Sequence, residues 1–158
     1  MMRNLLLLLL AFTTFATVAA ENPIAVKPIT VYYVDDESFE DIKENVASAI
    51  TDRGLTVSGT LHVQEMLDRT GDDLGFGKGP YLKAESLEFC SAYISHKMIK
   101  TNPYNMGICP FTIAIYILHK EPGRVYVAYK VPSLAGNAEE VMEEVIDLLD
   151  GVVKDSIE

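Results

Sequence analysis

The side chains best equipped for chemistry lie in one stretch, Glu88 to Tyr116, which holds both cysteines, Cys90 and Cys109, with His96, Met98 and Met106 between them. A thiolate is both nucleophile and soft-metal ligand, and local charge decides how readily it forms. Cys90 stands just before a segment with helical spacing, where the partial positive charge of a helix N-terminus lowers a thiol pKa below about 8.5. That gives a redox or nucleophilic role a physical basis, although no Cys-x-x-Cys pair is present. The competing reading is an inert structural cysteine, because free cysteine is among the most buried residue types.

The same residues can be read as a metal site or as a bridge. Cys90, His96, Met98, Met106 and Cys109 are ligand types that select copper(I) or haem iron, with Cys90, His96 and Cys109 the core set. Their spacing fits neither a zinc motif nor a c-type haem attachment, and His96 lies about 160° round the helix from Met98 at ~3.6 residues per turn. No cofactor is therefore expected. A Cys90–Cys109 disulfide depends on strand direction. If the strands flanking the intervening helix run parallel, the cysteines sit at opposite sheet edges, roughly 17–20 Å apart. If they run antiparallel, the α-carbons can approach within the required ~7 Å. Sequence alone leaves both open.

Elsewhere the chain offers little catalytic machinery. It has no nucleophile elbow, paired-carboxylate site or zinc helix, and His62 and His119 stand isolated. Gly75-Phe76-Gly77-Lys78-Gly79-Pro80 has glycines at the wrong spacing for a phosphate loop, with Pro80 where Ser or Thr is needed, so a mobile connecting loop is expected. Asp72 and Asp73 are too few oxygen ligands for calcium. Tyr81, Tyr93, Tyr104, Tyr116, Tyr126 and Tyr129 can line a pocket or a dimer face, or simply pack strands. The formal charge of −10 makes nucleic acid an unlikely partner by simple electrostatics and suits a soluble acidic protein.

The elements that must position these side chains follow an address. Residues 1–20 carry Arg3, a leucine run and Val18-Ala19-Ala20, the pattern of a signal peptide too short for a permanent span. Export to the periplasm or the medium is expected, with no stable membrane span after cleavage. Residues 21–28 hold two prolines and read as a tether, leaving residues 29–158 as one domain. Ile29–Val34 reads as a strand. Ser38 caps a helix with the stripe Phe39, Ile42, Val46, Ala49 and Ile50. Leu55–Leu61 is a strand and VQEMLDR a short helix. Leu82–Cys90 is a strand, followed by a helix from Ser91 or Ala92 to Lys100. Pro110–Leu118, nearly all apolar, is the central strand, and Arg124–Val131 pairs back on it. A helix capped by Asn137 buries Val141, Val145, Leu149 and Val152 behind an acidic face. The order β-α-β-α-β-α-β-β-α predicts an α+β two-layer sandwich, a mixed and mostly antiparallel sheet packed by helices.

The string Phe89-Cys90-Ser91-Ala92, then His96-Lys97, Pro103, Gly107 and Pro110 entering IAIY, resembles the domain-of-unknown-function family numbered 302, from about Ser38 to Pro132. The resemblance implies a compact single domain, sometimes dimeric and often exported in bacteria, with no catalytic signature. Many members carry Cys-Asn-Pro at the strand-to-helix corner, a histidine six residues on, and Leu-Pro-Cys opening the next strand. Cys90 and His96 match the first two positions. Ser91-Ala92 replaces Asn-Pro, and Cys109 precedes Pro110 instead of following it, which moves the sulfur to the other side of the strand. The expected function is an exported, non-catalytic binding or interaction domain, able to form a homodimer, with a small-molecule cleft near Cys90, Tyr93, His96 and Tyr116. The alternative is a thiol- or metal-dependent redox protein using Cys90, His96 and Cys109.

Overall fold

Local chemistry starts and stops each element. Ile29–Asp35 (β2) is extended because its β-branched and aromatic side chains suit a pleated, half-buried surface. Asp36 turns the chain at φ 62°, and Ser38 Oγ then accepts the Asp41 N–H at 3.0 Å to open Phe39–Asp52 (α1). Val57–Leu61 (β3) leads into Val63–Gly71 (α2), and Tyr81–Phe89 (β4) into Ala92–Thr101 (α3). A 3-10 helix, Pro103–Ile108, precedes Phe111–Leu118 (β5), Arg124–Lys130 (β6) and Glu139–Ile157 (α4). The computed structural model describes residues 24–26 and 28–158; the expected signal peptide, residues 1–20, lies outside the described residues. No described helix is long and apolar enough to cross a membrane.

The strands form one six-stranded sheet in the order β1-β2-β6-β5-β4-β3, antiparallel at every pairing, where a mixed sheet had been allowed. The extra strand is Ile24–Val26 (β1), inside the stretch expected as a tether; its residues pair with Val31, Thr30 and Ile29 in a tight hairpin. Two boundaries also move. The strand expected from Leu55 begins at Val57, and α4 is preceded by Ala138 with no side-chain cap from Asn137. The α+β two-layer order is otherwise the observed one.

Helices cover one face of the sheet. Val46 and Ile50 of α1, Val145, Val152 and Val153 of α4, and Met98 of α3 are fully buried against Ile113, Ile115, Val125 and Val127. Each such side chain contributes about 1.5–3 kcal/mol by leaving water. Burial alone does not fix how a helix sits on a sheet. Asp150 on α4 supplies direction: its Oδ1 accepts from the Tyr32 hydroxyl at 2.6 Å and the Tyr129 hydroxyl at 3.0 Å, and its Oδ2 meets Lys154 Nζ at 2.6 Å. One carboxylate thus joins α4 to neighbouring strands. Nearby, Arg53 at the end of α1 reaches Asp155 at 2.6 Å across Gly151, where a Cβ would lie 3.0 Å from the guanidinium. The glycine costs the helix about 1 kcal/mol and gives the ion pair its passage.

Burial opposes ionisation of Asp150, but the hydrogen bonds from Lys154, Tyr32 and Tyr129 outweigh it and hold the carboxyl below the usual carboxylate range. A carboxyl depressed by folding stabilises the protein above its unfolded value, and that stability is lost as pH falls through the folded value. Asp150→Ala is expected to lower unfolding free energy by about 2 kcal/mol at neutral pH. The urea midpoints of variant and parent should converge as pH drops below about 3.9; a gap that stays constant well below that pH, to where the folded-state carboxyl must also be protonated, would exclude the carboxylate as the lock.

Candidate functional site

β4 and β5 run antiparallel side by side, with Phe89 opposite Phe111. The strand that leaves through Cys90 and the strand that enters after Cys109 therefore meet at one end of the sheet, and everything between is an excursion from that point. The two cysteines are joined as a disulfide with Cα atoms 6.0 Å apart, and no free cysteine remains among the described residues. Both sulfurs are thus spent on each other. Ser91 Oγ accepts the Ile94 N–H at 3.3 Å to start α3, and Ser95 Oγ points at Cys109 Sγ from 3.8 Å.

The excursion is held from inside by Asn105, 2% exposed. Its amide nitrogen donates to the carbonyls of Met98 at 3.0 Å and Ala135 at 3.1 Å, and its Oδ1 accepts the Ala135 N–H at 2.7 Å. Three segments meet on that one side chain: the end of α3, the 3-10 helix that follows it and, thirty residues on, the link from β6 to α4.

The remaining expected site residues do not gather at this corner. On α3, Ile94 and Met98 face the core, so His96 and Tyr93 face solvent. Tyr93 lies 68% exposed with Lys97 Nζ 5.0 Å from its ring centre, and Lys97 pairs onward with Glu144 of α4. Met106 is 68% exposed. Tyr116 sits seven positions along from Cys109, on the sheet face opposite the helices. There its ring stacks on Tyr126 at 5.1 Å and meets Tyr81 edge-on at 5.5 Å. Burial, then the neighbouring Tyr81 and Tyr126, push its hydroxyl up to about 12, so it stays protonated. Cys90, His96 and Cys109 form no ligand cluster; no group of three or more His, Cys, Asp or Glu among the described residues is arranged around a metal. His62 is less isolated than its sequence position implied, with Nδ1 3.3 Å from Glu85 Oε1. The glycine loop folds back on Gly71, whose carbonyl accepts from Phe76 at 2.8 Å and Gly77 at 3.1 Å, so it presents no row of free amides for phosphate.

A cleft does adjoin the corner, on the side of Cys109. It measures about 420 Å³ and is floored by Phe111 and Leu149 with Ile108 and Val131, and Lys130 and Thr112 stand at its rim. Pro28, Pro110 and Pro132 wall it, because the start of β2, the start of β5 and the end of β6 lie at the same sheet end. Prolines lack an N–H, and the Val131 N–H is committed to the Pro28 carbonyl at 2.8 Å. The three prolines and Val131 therefore offer the cleft no free backbone N–H.

A sequence profile described as domain of unknown function DUF302 matches residues 31–156. The chain belongs to that family. A solved structure, "Crystal structure of uncharacterized conserved protein DUF302 from Bacillus stearothermophilus", is similar over 80% of this chain and 97% of its own, at 16% identity and TM-score 0.64. At that identity the likeness shows the shared DUF302 fold. No curated protein matches.

The cleft residues Phe111, Thr112, Lys130 and Leu149 were not legible as a set, because they come from three elements brought together by register. The one usable signal was the prolines, Pro28 in the expected tether, Pro110 opening a strand and Pro132 following one; that they meet at one sheet end required the strand order.

A bridge closing a loop of this separation, 19 residues, should stabilise by about 3 kcal/mol. Reduction, or the Cys90→Ser/Cys109→Ser pair, is expected to lower the unfolding free energy from urea denaturation by that amount and to speed amide exchange from 92 to 108. Two titratable thiols in the unreduced folded protein would contradict the bridge. Asn105→Ala should cost a further ~2–3 kcal/mol by stranding buried backbone groups, measured by the same denaturation on the oxidised protein.

Proposed function

We propose that this protein is an exported, non-catalytic binding domain whose ligand site is the cleft beside Cys109. The observation that carries the reading is the cleft itself: an apolar floor and a proline wall at a volume within the range of small-molecule sites, ~300–1,000 Å³. Two features support it. The cysteines are tied to each other at the site's border, the usual arrangement for a domain working in an oxidising compartment. The leader-like residues 1–20 agree with such a compartment.

The disulfide has a definite part in this reading. It anchors Cys109, and with it Ile108 and Pro110, to the end of β4, so the cleft keeps its shape when empty. A preformed site saves the ligand the ordering entropy that a collapsed one would demand.

A neutral fluorescent reporter, N-phenyl-1-naphthylamine, tests the site without favouring any charge. Its emission is expected to rise saturably at one reporter per chain, and to be lost in Ser133→Trp, where a large ring enters the cleft from an exposed lining position. The thermal midpoint of that variant should stay close to the parent's, showing that the fold is intact. No saturable signal, or an equal signal in the folded variant, would remove the cleft as the site.

A further inference from the structure

The ladder between β5 and β6 stops one pair short of the sheet end. Its register runs from Tyr116–Tyr126 to Ile113–Tyr129 and goes no further, although β5 continues against β4 to Phe89–Phe111 and β6 continues against β2 to Ile29–Lys130. Each strand follows its outer neighbour, and a fork opens between the start of β5 and the end of β6. The cleft lies in this fork. That is why it is lined both by Thr112 and Lys130, whose side chains alternation carries to the helix-free face, and by Phe111 and Val131, which pack with the helix-covered core.

Backbone groups decide what the fork offers. In an antiparallel ladder, pairs that exchange hydrogen bonds alternate with pairs that do not. The Val131 N–H goes to the Pro28 carbonyl and the Asp36 N–H to the Gly123 carbonyl, so odd-numbered residues of β6 exchange with β2 and even-numbered ones turn toward β5. Ala128–Ala114 and Tyr126–Tyr116 are therefore exchanging pairs, and Thr112–Lys130 is the next in that phase. It is the pair that does not form. Thr112 has no alternative on β4, because its register partner there, Glu88, lies between the exchanging pairs Phe89–Phe111 and Leu87–Ile113. Its N–H is a backbone donor aimed into the fork without a ladder partner, beside three prolines that have no N–H at all.

We infer that the cleft takes a neutral carbonyl compound with a compact apolar body, its oxygen on the Thr112 N–H and its hydrocarbon on Phe111, Ile108 and Val131. This rests on the cleft being the ligand site and adds the class of ligand. One donor in the plane of the sheet, at the throat of an apolar cleft, suits one acceptor. A carboxylate would lack a cation on the floor's side of the sheet, since the Lys130 side chain belongs to the other face, and an unpaired charge costs far more to bury than a ketone, ester or amide oxygen. A sugar would bring many hydroxyls to walls that the prolines leave poor in donors. At roughly 30 Å³ for each water-sized group, about fourteen non-hydrogen atoms fill the 420 Å³ of the cleft.

The closing experiment follows the amide resonances of the isotopically labelled, oxidised mature protein as acetophenone, ethylbenzene or benzoate is added, with displacement of N-phenyl-1-naphthylamine as the second readout. Before any addition, the Thr112 amide proton is expected to exchange with solvent roughly tenfold faster than that of Ala114, as an unpaired N–H should. Acetophenone should displace the reporter and move the Thr112 amide proton downfield. Ethylbenzene should displace the reporter without that shift, and benzoate should bind about tenfold more weakly than acetophenone or worse. Thr112→Pro removes the N–H where no ladder bond is lost, so its thermal midpoint should stay near the parent's. In that variant acetophenone should weaken about three- to tenfold, the value of one hydrogen bond, and ethylbenzene should not weaken. Thr112→Val, which keeps the N–H and drops the hydroxyl, should bind acetophenone as the parent does. A Thr112 amide that exchanges as slowly as that of Ala114 would mean a closed fork and end the inference. A Thr112 resonance unmoved by acetophenone, equal weakening of both neutral probes in Thr112→Pro, or benzoate as tight as acetophenone would overturn the carbonyl assignment, while reporter binding keeps the cleft as a site. Should Thr112→Pro not fold, the exchange rate and the shift in the parent decide. If neither the probes nor the reporter bind, both readings fall together.

Discussion

The pairing of Phe89 with Phe111 is the constraint from which the functional end of the molecule follows. Both rings are buried and meet edge-on, with centres 5.9 Å apart and planes at 65°. Once these two residues are neighbours in an antiparallel pair, the chain between them must leave the sheet and come back to where it started. Cys90 and Cys109 flank that point, so their proximity is a result of strand direction, and the disulfide seals a loop that hydrophobic pairing has already closed. A parallel arrangement of the same strands would have separated the sulfurs by a strand length and left the start of β5 without its border.

The same economy governs polar groups in the interior. Asn105 and Asp150 each sit where several segments converge, and each satisfies more than one partner. A buried amide or carboxylate in such a place costs desolvation, which only a complete set of hydrogen bonds offsets. No buried side-chain nitrogen or oxygen among the described residues lacks a partner. These groups therefore select one arrangement of helices and loops out of the many that the apolar surfaces alone would tolerate, and Asn105 extends that selection to the excursion that borders the cleft.

How much of this could be read from the residues depends on the range of the interaction. The stripe from Phe39 to Ile50 and the alternation in Arg124–Lys130 are local periodicities, and the elements they imply are the ones present. The cap at Ser38 is likewise a contact three residues long. Ile24–Val26 escaped because its prolines hid it: Pro28 breaks no strand when it supplies the turn between two. The site was legible only in part. Cys90 and Cys109 were visible as a pair whose fate hung on strand direction, and nothing in their spacing decided it. Tyr116 was grouped with His96 as one ligand set because both are versatile side chains, yet alternation puts Tyr116 on the helix-free face and helical phase turns His96 outward. Lys130 and Leu149 had no signal at all, being an ordinary strand-ending lysine and an ordinary core leucine until the fold brought both to the border of one cleft.

That helix-free face also explains why the tyrosines should be read as structure. A sheet covered on one side only would leave Val31, Tyr126 and Ala128 open to water, yet these are buried to 7%, 7% and 5% exposure. Tyr33, Tyr126, Tyr116 and Tyr81 form a continuous row of ring contacts across β2, β6, β5 and β4. Arg124 lies 3.9 Å from the Tyr33 ring centre, held there by Asp35 at 2.7 Å. Each ring is worth about 0.5–1.5 kcal/mol to its neighbour beyond area burial. The row does for this face what a second helix layer would do, and does it within the thickness of the side chains themselves. A tyrosine engaged on both ring faces has little surface left for a ligand, so the chemistry of recognition falls to the end of the sheet, where three strands stop at prolines and the floor of the core comes into view.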